Sequence, residues 1–193
     1  MLLFFINLGN FVDITKEAKK VNLIVCLGGN NQDRIPKSLE LLNRKFSENK
    51  QILYMGTKTK FLEKYKESIT FTKSFSNTMD EIKYLDKTIN TKIDKSIIIV
   101  TDPTHSRRVD FLIQNFSLNL KKLDYIIVST EAKWWNKYFY FIGAKSFVHT
   151  ILEINKIVYN YVKYKFLEES SIVKKLDSYA SIIKIEVSKR FKY

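Results

Sequence analysis

One cysteine, two histidines, two prolines and five glycines are all that 193 residues contain of these types, and each shortage excludes something. With Cys26 alone no internal disulfide can form, and thiolate-rich zinc sites are out of reach. Cys26 lies in the apolar run Asn22 to Leu27, so packing is its expected role. A reactive thiolate needs an exposed electropositive surrounding. His105 and His149 are too few for a histidine-based metal centre. The scarcity of glycine and proline leaves no linker, and no repeat or low-complexity tract interrupts the chain. One domain is therefore expected over residues 1–193, with a core at 20–167 and a C-terminal extension at 168–193. Long apolar runs are also missing. MLLFFINL at the start falls well short of the roughly 20 residues of a membrane-crossing helix, and it has no basic lead or small-residue cleavage site. A cytoplasmic protein is expected, with peripheral membrane contact left open.

Lysine, by contrast, is plentiful: Lys and Arg number 33 against 20 Asp and Glu, a net charge of +13. Such a balance raises the question of nucleic acid or an anionic membrane. The lysines, however, are spread along the whole chain, and arginine is confined to Arg34, Arg44, Arg107, Arg108 and Arg190. Solvated helix faces are the expected use of this charge, and stable nucleic-acid binding is not expected. A hydrophobic share of 45% excludes disorder for the body of the chain.

The pattern is organised around Ile97 to Arg108, IIIVTDPTHSRR. Its β-branched run suits a strand buried on both faces, and Asp102 with Pro103 reads as an N-cap and first-turn proline opening a helix. Further strands are expected at Asn22 to Leu27, Gln51 to Met55, Ser68 to Thr72 and Asp124 to Thr130. Helices are expected from Pro36 to about Asn49, over Thr59 to Lys66, from Ser76 or Asn77 to about Asn90, and from Ala144 to Phe166. Residues 1–20 read as an apolar lead-in with at most one helical turn, and the tail as a helix followed by a strand at Ile182 to Val187. The alternation predicts an α/β, Rossmann-like three-layer sandwich, with a mostly parallel sheet of about five strands and helices on both faces.

This arrangement lifts Thr101, Asp102 and His105 to the carboxyl end of the sheet, where open α/β folds bind ligands. On a helical wheel His105 aligns with Val109, Leu112 and Phe116; Arg108 is displaced by about 60°, and Arg107 points away. The positive end of the helix should keep His105 neutral, fit to handle a proton. The rival role is a histidine filling the seam between helix and sheet. Gly28, Gly29 and Asn30 follow the first strand, where exposed amides cradle anions, although glycine pairs also end strands with no ligand. Arg34, placed just outside the helix begun by Pro36, is either an anion clamp or half of a surface ion pair. Asp80 and Glu81 suit the first turn of a helix without further function. No G-x-S-x-G elbow marks a serine nucleophile. Trp134 and Trp135 either stack on a base or sugar or anchor a loop to the core.

Taken in order, these pieces resemble the YdcF, SanA and ElyC family of bacterial proteins. The pieces are Gly9 to Val12 (GNFV), Leu27 to Gly29 (LGG), Arg34 with Ser38 and Leu41, Gly56, Asn77-Thr78 with Asp80, Val100 and Thr101 with His105 and Arg108, then Trp134-Trp135 and Glu153. They span residues 9–165. The resemblance implies a Rossmann-like fold, a polar cleft at the strand ends and a link to cell-envelope biogenesis, with S-adenosylmethionine as a candidate cofactor. It also adds Gly56, Asn77, Thr78, Asp80, Thr101 and Glu153 to the expected ligand-binding residues. Two departures stand out: Met55, Gly56 and Thr57 replace the family's S-G-G, and Lys73 and Phe75 occupy its acidic and serine positions.

The resulting expectation is a single YdcF-like domain that binds a small anionic or nucleotide-like ligand. S-adenosylmethionine or a phosphorylated envelope precursor would lie at the carboxyl ends of the strands. His105 and Arg108 are the catalytic candidates, and any enzyme activity would be that of a transferase or hydrolase. The rivals are a non-catalytic partner-binding protein with a vestigial cleft and a basic nucleic-acid binder.

Overall fold

The computed structural model describes residues 2–58 and 60–166. The strands are β1 (Leu23–Leu27), β2 (Ile52–Met55), β3 (Ile69–Phe71), β4 (Ser96–Thr101) and β5 (Asp124–Ser129). They form one sheet in the order β3-β2-β1-β4-β5, and every pairing is parallel. This is an α/β, Rossmann-like architecture.

Alternation along the strands divides the core in two. Ile24, Cys26, Ile52, Tyr54, Ile98, Val100, Ile126 and Val128 face one side, against Ile35 and Leu41 of α2 (Asn31–Asn43). Val25, Leu27, Met55, Ile97, Ile99 and Ile127 face the other. There they meet Met79, Ile82 and Leu85 of α3 (Thr78–Thr88) and Val109, Leu112 and Ile113 of α4 (Ser106–Phe116). Ile97 through Val100 are wholly buried, because β4 is central and covered on both faces. The expected helix over Thr59 to Lys66 is a 3-10 segment, Lys60–Tyr65.

Two expectations about helices require correction. Residues 2–12 are not a loose lead-in: Leu2–Val12 forms α1, which packs on α4 and on α5 (Ala144–Phe166). The Ser106 hydroxyl donates to the Val12 carbonyl at 3.0 Å and accepts from the Ile14 amide at 2.9 Å, while Arg107 Nε donates to the Phe11 carbonyl at 2.7 Å. These contacts come from about 95 residues away along the chain, which local pattern does not register. Similarly, α2 starts at Asn31, and Pro36 lies inside it. Proline's fixed φ is compatible with helix, so the residue marks a missing N–H donor here rather than a start. The expected strand at Ile182 to Val187 and the extension 168–193 lie outside the described residues. No described helix is long and apolar enough to cross a membrane.

Candidate functional site

The strand order places the topological switch between β1 and β4. From there one connection runs towards β2 and the other towards β5, so the loops after the two strands part, which is where doubly wound sheets characteristically open a crevice. Arg34 lies at this switch point. Contrary to expectation it lies within α2 and is buried, because the helix begins three residues earlier. Its Nη1 donates to the Gly28 carbonyl, and its Nη2 meets Asp102 Oδ2 at 2.7 Å. Asp102 does not cap the turn that follows it. It accepts instead from Arg34 and, at 3.2 Å, from the Thr130 hydroxyl. The ion pair thus spans the crevice from the β1 side to the β4 side. Gly29 adopts φ +108°, and a Cβ there would lie 3.2 Å from Arg34 Nη1, so both conformation and space call for glycine.

The Gly28 amide is not presented to a ligand, as expected from sequence, but donates to Glu81 Oε1 at 2.7 Å. A Cβ at Gly28 would sit 2.3 Å from the Met55 carbonyl oxygen, so packing against β2 is what demands glycine. Glu81 is buried rather than merely set in a helix dipole. Burial lifts its carboxyl to about 7, against the lowering effects of the Gly28 amide and of Arg34 and Arg108.

Next to this pair lies a second cluster. Arg108 donates from Nε to Glu153 Oε2 at 2.7 Å and from Nη1 to the Thr78 hydroxyl oxygen at 3.0 Å. Glu153 also accepts from Lys156 at 2.7 Å. Although burial pushes the Glu153 carboxyl up, Arg108, Lys156 and His105 together hold it well below the usual carboxylate range. His105 lies between, with Nδ1 3.5 Å from Glu153 Oε2 and Nε2 3.3 Å from Thr78 Oγ1. Burial, reinforced by Arg108, lowers its pKa to about 4, so the ring is neutral at pH 7. A neutral ring beside an ionised carboxylate attracts it only by donating from Nδ1, which leaves Nε2 to accept from the Thr78 hydroxyl.

Four buried side-chain atoms near the same end of the sheet have no hydrogen-bond partner among the described residues: Asn31 Oδ1, Arg34 Nε, Tyr54 OH and Thr101 Oγ1. Gly56 lies against the tyrosine, where a Cβ would fall 2.2 Å from its hydroxyl. Leaving a buried polar atom unsatisfied costs about 1–3 kcal/mol.

The crevice and the cluster therefore bring together Gly28, Gly29, Arg34, Thr78, Thr101, His105, Arg108 and Glu153. Asn30, Asn77 and Asp80 are held apart in local contacts. Asn30 donates to Asp33 at 2.7 Å, and Asn77 accepts from the Asp80 amide at 3.0 Å as the N-cap of α3. Cys26 is packing, its thiol pushed up to about 12 by burial. Trp135 donates to Asp13 at 2.9 Å and Trp134 packs on His149, so the pair anchors its loop. Sequence reasoning placed Asp102 at the strand ends but took it for a helix cap, and it missed Glu81, Asn31 and Tyr54. Helix-end rules explained both acids before their partners, Arg34 and the Gly28 amide, could be seen.

No protein-family model matches the chain, and comparisons with curated proteins and with solved structures give no match either.

Proposed function

We propose that this protein binds a small anionic or nucleotide-like ligand in the crevice above β1 and β4, as a YdcF-like protein of cell-envelope biogenesis. The observation that carries the reading is the set of unpartnered polar atoms, which belong to residues on or just after three neighbouring strands, β1, β2 and β4, at the end of the sheet where doubly wound folds hold ligands. Arg34 Nε, Thr101 and Tyr54 supply donors for an anionic group, and Asn31 Oδ1 supplies an acceptor for an amine or hydroxyl. The η nitrogens of Arg34 and the guanidinium of Arg108 are already engaged by carbonyls and carboxylates of the chain. They hold the site in shape, and the ligand takes the remaining groups. S-adenosylmethionine, with a carboxylate, an amine and ribose hydroxyls, fits this donor and acceptor set; when bound it would supply a transferable methyl group.

The test is native mass spectrometry of freshly purified protein for a retained ligand. Thermal-shift titration with S-adenosylmethionine, AMP and inorganic phosphate follows. Binding should weaken at least tenfold in Thr101→Val and Arg34→Lys. Equal binding by both variants, or no stabilisation by any probe, overturns the reading.

A further inference from the structure

A hydroxyl, an imidazole and a carboxylate stand in line on three different elements. Thr78 opens α3, His105 precedes α4 and Glu153 lies in α5. The chain order, hydroxyl then histidine then acid, belongs to none of the short nucleophile motifs, which is why sequence reading passed over it. The geometry has the required sense. Glu153 orients Nδ1, Nε2 faces Thr78 Oγ1 at 3.3 Å, and Arg108 Nη1 donates to that same oxygen at 3.0 Å. With the guanidinium on one lone pair, the Thr78 hydrogen is directed at Nε2. Base and nucleophile separations in unliganded sites are commonly this loose. Thr78 is also the first residue of its helix, where the dipole favours developing negative charge on Oγ. Thr78 itself is buried, with exposed Ser76 and Asn77 immediately before it in the chain.

We infer that Thr78 is a nucleophile, with His105 as its general base and Glu153 as the residue that orients and charges the base, acting on a carboxylic ester of an anionic compound. The inference rests on the proposed anion site, which would hold the remainder of the substrate.

The steps balance without a further reagent. Thr78 Oγ bonds the ester carbonyl carbon as its proton passes to Nε2, and the resulting imidazolium faces the ionised Glu153. The C–O bond to the alcohol breaks, and Nε2 returns the proton to the leaving oxygen. Water then attacks the acyl-threonine, gives its proton to Nε2 and releases the carboxylic acid, while Thr78 recovers its hydrogen. The guanidinium geometry favours an acyl over a phosphoryl centre. Arg34 donates to Asp102 and Arg108 to Glu153, so neither presents a free fork to the several charged oxygens of a phosphoryl group.

The experiment uses the full chain with p-nitrophenyl acetate and p-nitrophenyl phosphate as probes. A fluorophosphonate is added for peptide mapping: it forms an Oγ–P bond at Thr78 as P–F breaks and fluoride leaves. Acetate turnover should exceed phosphate turnover, with the adduct on Thr78. Turnover should fall about 100-fold or more in Thr78→Ala and His105→Gln, and should persist in Thr78→Ser. An adduct elsewhere or none on the folded wild type, unchanged turnover in Thr78→Ala, or preference for the phosphate overturns the inference. Titration of the wild type with AMP, S-adenosylmethionine and inorganic phosphate separates the two ideas. Binding of any of the three without acetate turnover removes the nucleophile and leaves the anion site standing; turnover with binding of none supports the nucleophile and removes the anion site.

Discussion

Glu81 and His105 impose opposite pH dependences on folding, and substituting Glu81 should separate them. The Glu81 carboxyl is raised from 4.5 to about 7 by burial. Between those values the folded chain keeps a proton that the unfolded chain has released, so stability falls as pH rises. At about 1.4 kcal/mol per pH unit the full loss is about 3 kcal/mol. For His105, lowered from 6.5 to about 4 by burial, the sign reverses. The unfolded chain takes the proton first, so stability rises with pH across that interval, also by about 3 kcal/mol. From 4.5 to 6.5 the two slopes cancel. Glu81→Gln keeps an oxygen for the Gly28 amide and cannot ionise. The difference in unfolding free energy between Glu81→Gln and wild type should therefore be flat below pH 4.5 and grow by about 3 kcal/mol in favour of the variant by pH 7. All groups common to both proteins cancel in this difference. Urea unfolding at half-unit pH steps from 4 to 8 measures it, and the corresponding shift in Tm is roughly 6–12 °C. A difference that stays constant across the whole range refutes the reasoning, because Glu81 would then ionise as freely folded as unfolded.

Three further outcomes follow from the packing. Asp102→Leu should destabilise by about 3–5 kcal/mol, since it strands the buried Arg34 charge, and Arg34→Met by less, since Asp102 is partly exposed, while the double variant should lose far less than the sum; additive losses in urea unfolding would contradict the pairing. Gly28→Ala should cost about 1–3 kcal/mol or more, because its Cβ meets the Met55 carbonyl at 2.3 Å; a neutral result would contradict the close approach of β1 and β2. Cys26 should resist iodoacetamide at pH 7.5 in the folded protein and react once unfolded in urea, because its thiol is buried and pushed up to about 12.

The sheet was legible in the sequence because its strands are short apolar runs, of which β1 and β2 are ended by glycine and β4 by Asp-Pro, and the connections are long enough for crossovers. Arg108 falls within the expected helix, whereas His105, placed on the same helical wheel, lies in the 3-10 turn Pro103–His105 that precedes α4. What failed depended on distant partners. Arg34 was read as a loop residue because Pro36 was taken for a helix start. Asp102 and Glu81 were absorbed by capping and dipole rules, although in the fold they meet Arg34 and the Gly28 amide. The helix at Leu2–Val12 was missed because its support comes from α4 and α5 rather than from its own pattern. Thr78 was placed by resemblance alone. Its alignment with His105 and Glu153 becomes visible only when three elements are packed together.

The central claim is that the crevice above β1 and β4 is a binding site, and its most direct test is a titration followed residue by residue. Isotope-labelled protein would be titrated with AMP, S-adenosylmethionine and inorganic phosphate while the backbone amide resonances are recorded. For at least one probe the saturable shifts should cluster at Gly29, Asn31, Tyr54, Thr101 and Asp102. Shifts scattered over the exposed lysines, or none with any of the three probes, would contradict the account.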